Sequence, residues 1–131
     1  MSECVLDTDV LIAALDRQDA HHRDAVEGLT TMIKGDVGLL VSLVNYAETL
    51  VKPAEDEGLL KDAVEAIEAL GIKLVAPTPA IARGAARYRG LGVSLADGFA
   101  MATAYAHAAS VASFDRRVTR ALSEARLPQQ F

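Results

Sequence analysis

At 131 residues and 51% hydrophobic content, the chain is long enough to bury a proper core as one folded domain, residues 1–131. A net charge of −5 argues against a general nucleic-acid coat protein. The single cysteine, Cys4, excludes an internal disulfide and fits a reducing compartment. The first residues lack a basic segment and carry Glu3, unlike a signal peptide. The uncharged stretch from Gly98 to Phe114 is interrupted by Thr, Ser, Tyr and His and is shorter than the ~20 apolar residues of a spanning helix. A cytoplasmic protein with no membrane partner is expected. The charge is unevenly spread: residues 1–76 hold six Lys/Arg against fifteen acids, and residues 77–131 hold seven Arg against three acids.

The first strand is the apolar run Cys4-Val5-Leu6, which ends on Asp7. Continuous apolar strands are expected where both sheet faces are covered. Thr8 or Asp9 can cap the helix Val10 to Leu15, and a second helix runs from about Ala20 to Lys34 with Val26, Leu29 and Ile33 on one stripe. Val37 to Val41 reads as the second strand. Ser42 leads into a helix through Leu43, Val44, Ala47, Leu50 and Val51, stopped by Pro53. Glu55 to Leu70 is amphipathic, with Leu59, Leu60, Ala63, Val64, Ile67 and Leu70 expected to face inward. Ile72 to Val75 is the third strand. A helix opening at Pro77-Thr78-Pro79 turns Ile81 and Ala85 inward. Ser94 starts an Ala-rich helix to about Ala109. Ser110 to Phe114 is the fourth strand, a last helix runs from Arg116 to about Ala125, and Leu127 to Phe131 can add an edge strand.

Strands alternating with helices predict a three-layer, doubly wound α/β domain on a parallel sheet of four or five strands. With right-handed crossovers and order 3-2-1-4, plus a possible fifth strand, strands one and four meet at the topological switch. Asp7 and Asp115, which end those strands, would share the ligand-binding crevice.

Four acids sit where a solvated surface does not explain them. Asp7 ends strand one, and Asp115 follows strand four. Glu48 lies between Val44 and Val51, one helical turn from each, and so interrupts an apolar stripe. Asp97 opens the Ala-rich helix. Each has a plain structural explanation: Ser94-x-x-Asp97 is a capping box, Asp115 can cap the last helix, Glu48 can pair with an arginine, and Asp7 can accept from helix amides. Several buried carboxylates together repel one another, and a divalent cation resolves that repulsion. Mg2+ takes one or two carboxylates plus waters and substrate phosphates.

As a set, Asp7-Thr8-Asp9-Val10-Leu11-Ile12, Asn45-Tyr46-Ala47-Glu48, Leu95-Ala96-Asp97 with Ala100, and Ser113-Phe114-Asp115 resemble the acidic motifs of PIN-domain nucleases, and the compact length resembles the VapC-type toxins of toxin–antitoxin pairs. The resemblance covers nearly the whole chain in the right order. It implies a Mg2+- or Mn2+-dependent endoribonuclease, usually a homodimer, held inactive by a cognate antitoxin. By position, Asp7, Glu48, Asp97 and Asp115 correspond to the acidic quartet, with Asp7 and Asp97 as direct metal ligands and Glu48 or Asp115 orienting the water or a second ion. Thr8 and Ser113 match the small hydroxyl positions beside the acids. Asp9 stands where members often have Ser or Asn, and Arg116-Arg117 follow Asp115 where many have another acid. Arg83, Arg87, Arg89, Arg116, Arg117 and Arg120 are candidates for RNA-backbone contacts, which set affinity rather than sequence. The amphipathic helices between Leu43 and Leu70 are candidate contact surfaces.

Two other readings compete. A haloacid-dehalogenase-like phosphatase would use Asp7 as nucleophile and Asp9 as acid/base, but the last lysine is Lys73, too early for that family's later lysine, and a phospho-receiver domain fails for the same reason. A non-catalytic module that keeps the fold is the third. His21 and His22 lie near no cysteine pair, which argues against zinc, and read as solvated helix residues. His107 reads as a packed or surface residue.

Overall fold

The computed structural model describes residues 2–131. Its sheet has four strands, β1 (Glu3–Leu6), β2 (Gly38–Ser42), β3 (Lys73–Val75) and β4 (Ser110–Ala112), all parallel, in the order β3-β2-β1-β4. This is the expected order. The fifth strand is reduced to a single parallel bridge between Val111 and Gln129. There the Val111 amide donates to the Pro128 carbonyl and the Gln130 amide to the Val111 carbonyl.

Alternation along the strands builds two cores from one sheet. Cys4, Leu6, Leu39 and Val41 point to one face, where they meet Val10 and Leu11 of α1 (Thr8–Leu15), Leu29 and Met32 of α2 (His22–Lys34), and Ile67 of α4 (Glu57–Ala69). Val5, Leu40 and Val111 point to the other, against Ala100, Met101 and Ala104 of α6 (Leu95–His107) and Val118, Ala121 and Leu122 of α7 (Arg116–Ala125). α5 (Pro79–Arg89) lies outside α6, with Ile81 and Ala85 packed on Ala102. α3 (Leu43–Leu50) follows β2 directly and a 3-10 turn, Pro53–Glu55, joins it to α4.

Caps fix where the helices begin. The Asp7 carboxylate, rather than Thr8 or Asp9, caps α1 by accepting from the Thr8 amide. Ser42 caps α3, Thr78 caps α5, and Ser94 and Asp97 close a reciprocal capping box on α6.

Some expected apolar faces are not covered. Val51 is 68% and Leu59 58% exposed, and Val26, Ile33 and Leu74 are exposed as well. β3 is an edge strand, and its residues are half-buried or exposed. Among the described residues no helix is long and apolar enough to cross a membrane.

Candidate active site

The switch between β1 and β4 gathers the acids. Leu6 pairs with Ala112, and the Asp7 amide extends that ladder by donating to the Ala112 carbonyl at 3.0 Å. Asp7 is therefore held at the carboxyl end of the central strand, only 2% exposed. Its Oδ1 accepts from the Thr8 amide at 2.9 Å, and its Oδ2 accepts from the Ser113 hydroxyl at 2.8 Å.

Burial alone makes an ionised Asp7 costly. The charges of Asp97 and Asp9 add repulsion, and together they push its pKa up to about 8 despite the bonds from Ser113 and Thr8. Asp9 is raised mainly by burial, then by Asp115 and Asp97, against the lowering effect of backbone amides. Its Oδ2 accepts from the Phe114 amide at 3.0 Å. Its Oδ1 is buried with no hydrogen-bond partner.

Asp97 and Asp115 occupy the rim, each tied down. Asp97 Oδ2 accepts from the Ser94 amide at 3.1 Å. Asp115 caps α7 through the Arg117 amide and also pairs with the Arg117 guanidinium, Nη2 to Oδ2 at 3.1 Å. That guanidinium holds the Asp115 carboxyl below its usual value. The capping roles expected of these two residues are therefore real, and the acids still lie within electrostatic reach of Asp7 and Asp9.

Glu48 stands apart. The expected apolar stripe around it does not exist, since Val51 is exposed and Glu48 is itself exposed. The buried face of α3 is made by Asn45 and Thr49. Glu48 is absent from the charges that act most strongly on Asp7 and Asp9. It lies one helical turn from Asn45.

Asn45, part of the Asn45–Glu48 motif, is the residue to which the sequence assigned no role. It is fully buried, and its amide donates to Thr8 Oγ1 at 3.0 Å and to the Ala96 carbonyl at 3.1 Å, with Asp7 Oδ1 at 3.5 Å. One side chain thus pins α3, the β1–α1 turn and the start of α6 together. Its Oδ1 is a second buried oxygen without a partner. The available signal was an amide two residues inside a helix, one turn before Glu48.

Arg83, Arg87, Arg89, Arg116, Arg117 and Arg120 are exposed, and among the described residues only Arg117 of these six is paired with an acid. The two histidines are not simply solvated. His22 Nδ1 donates to the Ala13 carbonyl at 2.7 Å, and the His21 ring stacks on Phe114.

The donor set suits a hard cation: the buried Asp7 carboxylate beside Asp9, which has one orphaned oxygen, in a cluster whose repulsion Arg117 offsets only at Asp115 and Asp97. Among the described residues no three Asp, Glu, His or Cys side chains are grouped so that they could hold a metal ion together. A cation taking one or two carboxylates and filling its remaining positions with water does not require one.

No curated protein is significantly similar to this chain in sequence. Solved structures share its fold. VapBC2 from Rickettsia felis, bound to a promoter DNA fragment, aligns with a TM-score of 0.72 at 13% identity over 90% of this chain and 92% of the other. FitAcB from Neisseria gonorrhoeae aligns at 0.70 and 25% identity over 98% and 96%. VapC20 of Mycobacterium tuberculosis, a sarcin–ricin-loop-cleaving toxin, aligns at 0.71 and 15% identity over 90% and 94%. The sequence model of the PIN domain matches residues 4–122, so that all four acids and both core layers fall inside it, and this chain belongs to the PIN-domain family.

Proposed function

We propose that the protein is a Mg2+- or Mn2+-dependent endoribonuclease that acts as the toxin of a toxin–antitoxin pair, as a cytoplasmic homodimer neutralised by a cognate antitoxin. The observation that carries this reading is the buried Asp7 carboxylate, crowded by Asp9 and Asp97 and raised to about 8, beside the unpartnered Oδ1 of Asp9. A cluster so arranged is stabilised by a cation, and family membership supplies the reaction class. The phosphatase reading loses its support with that membership.

Asp7 and Asp97 would hold the ion, with Asp9 Oδ1 and Asp115 within the same charged cluster. When bound, the ion supplies Lewis-acid polarisation of the scissile phosphate and a lowered pKa for water. Ser113 and Asn45 orient Asp7, and Thr8 is fixed by the same Asn45 amide. The new oxygen–phosphorus bond forms in line as the bond to the 3′ oxygen breaks, leaving a 5′-phosphate and a 3′-hydroxyl. Glu48, exposed on α3, would orient water rather than bind the ion from within. The exposed arginines of α5 and α7 would meet the RNA backbone. Leu43, Val51, Leu59 and Leu74, exposed around α3, α4 and β3, are apolar surface that a second copy or an antitoxin would cover.

The test is incubation with structured RNA and with a phosphatase substrate, in Mg2+ or chelator, for the parent and Asp97→Asn. Metal-dependent RNA cutting that Asp97→Asn abolishes, with an unchanged thermal melt and no phosphate release, is expected. A parent that cuts no RNA in Mg2+ leaves the non-catalytic reading standing.

A further inference from the structure

Beside the acid cluster, three rings form a continuous stack. The His21 imidazole lies on Phe114 with centroids 4.5 Å apart and planes 13° from parallel. Phe131 lies against the same Phe114 at 5.3 Å and 25°. The Phe131 end is closed by α2, where Gly28 leaves room for the ring: a Cβ there would stand 2.5 Å from two Phe131 carbons. The His21 end is open, because His21 is exposed and its buried face is already spent on Phe114.

The stack is anchored in the site. The Phe114 amide donates to Asp9 Oδ2, and Phe114 lies between Ser113, which holds Asp7, and Asp115. The His21 ring is itself positioned at both ends of its backbone. Its amide donates to Asp19 Oδ1 at 2.8 Å, and the neighbouring His22 ring is bonded to the Ala13 carbonyl. An exposed aromatic face held rigidly against catalytic-site backbone loses little entropy when a flat ligand settles on it.

From this geometry we infer that His21, backed by Phe114 and Phe131, is a stacking platform for an unpaired nucleobase next to the scissile phosphate. The inference rests on the ribonuclease reading and names how that site would grip its substrate. Single-stranded RNA is bound by splaying bases onto aromatic faces, histidine included, and every base has a π-face to offer. The cavity at the Phe131 end is lined by Asp24 and Glu27, which repel a phosphate chain, and Arg116, Arg117 and Arg120 follow Phe114 and Asp115 in sequence on α7. A strand whose base rests on His21 could place its phosphates over the acid cluster and leave along α7.

The test uses a fluorescent single-stranded RNA carrying a cut site mapped with the parent, and the same RNA made abasic at each nucleotide flanking that site. His21→Ala is expected to lower kcat/KM roughly 5- to 100-fold, mainly through KM, with His21→Trp restoring it. One abasic RNA should reproduce the loss in the parent and suffer no further loss in His21→Ala. Parent-like kinetics in His21→Ala, or a deficit that persists undiminished on every abasic RNA, would overturn the platform while leaving the nuclease intact. A parent that cuts no RNA removes both readings. A His21→Ala variant that cuts normally but no longer binds its antitoxin assigns the ring to that protein instead, which also overturns the inference. His21 is exposed, so an unchanged thermal melt is expected in each variant.

Discussion

The Ser113 hydroxyl donates to the Asp7 carboxylate across 2.8 Å, joining the ends of β4 and β1. The same oxygen accepts the Asp115 amide at 3.1 Å. A single hydroxyl therefore sets the rotamer of the central acid and the entry of the chain into α7. Ser113→Ala should cost about 1–2 kcal/mol, since it leaves the buried Asp7 Oδ2 and the Asp115 amide without these partners. It should also raise the pKa of Asp7 further, because that bond favours the ionised form. Chemical denaturation measures the first effect. An acid limb of the activity profile displaced to higher pH measures the second, and Ser113→Thr should restore both.

Asp7→Asn should stabilise the metal-free protein. The folded pKa of Asp7, about 8, lies far above the unfolded value of about 4. Between those values the folded state retains a proton that the unfolded state has lost, so stability falls as pH rises through this window. Asparagine can still accept from the Thr8 amide and approach Ser113, and it carries no charge. The gain near neutral pH should be at least about 1 kcal/mol, or roughly 3–5 °C in melting temperature for a chain of this size. Melts of the two proteins should converge near pH 4. A variant less stable than the parent at pH 8 would show that Asp7 is not electrostatically frustrated.

Metal addition should reverse that ranking. An ion that binds only the folded state stabilises it by about 2.7 kcal/mol at a hundred times its dissociation constant. The parent's melting temperature should rise with Mg2+ or Mn2+, and Asp7→Asn and Asp97→Asn should lose most of the rise. Because Asp7 holds a proton below about 8, binding should release one and weaken as pH falls. Calorimetry in buffers of different ionisation enthalpy reads that proton directly.

Arg117 competes for the same charge. Its guanidinium pairs with Asp115 and lowers that carboxyl, and it also feels Asp97. Replacing it with alanine should let the Asp115 pKa rise toward its ordinary value and should tighten Mn2+ binding roughly two- to fivefold, the scale of one solvent-exposed pair. The gain should shrink in high salt. Unchanged Mn2+ affinity in a titration would show that Asp115 lies outside the ion's reach.

The sheet order and the end-of-strand placement of Asp7 were legible in the sequence because both follow from strict local rules. Apolar runs of strand length alternated with helical periods, and a charge can leave such a strand only at its end. Glu48 was misread because helix periodicity was assigned from Val44 and Val51, whereas the core takes α3 by Asn45 and Thr49. Polar residues that satisfy each other in the interior leave no hydrophobic signature. The inward position given to Leu59 failed, and Val26 and Ile33 of the α2 stripe are exposed, for a related reason, since apolar spacing identifies a face without saying what covers it. The ring stack was invisible because His21, Phe114 and Phe131 meet only through the fold.

Among the glycines, the one with least room against neighbouring backbone is Gly98, one residue after Asp97. A Cβ there would stand 2.6 Å from the Ala85 carbonyl oxygen and 3.3 Å from its carbonyl carbon, both backbone atoms of α5. Neither helix can yield by a side-chain rotation, so Gly98→Ala must drive α6 away from α5, and overpacking of this kind costs about 1–3 kcal/mol. The Ala96 carbonyl would move with α6 and strain its bond from Asn45, so Asp97 would shift against Asp7. At Gly84 the corresponding contact is 3.1 Å to the Ala102 methyl, so Gly84→Ala tests the same helix pair from its other side with a softer clash. Gly98→Ala should melt several degrees lower than Gly84→Ala and cut RNA more slowly even at temperatures where it is fully folded. Equal melting temperatures for Gly98→Ala and the parent would mean that the α5–α6 spacing does not set the position of Asp97.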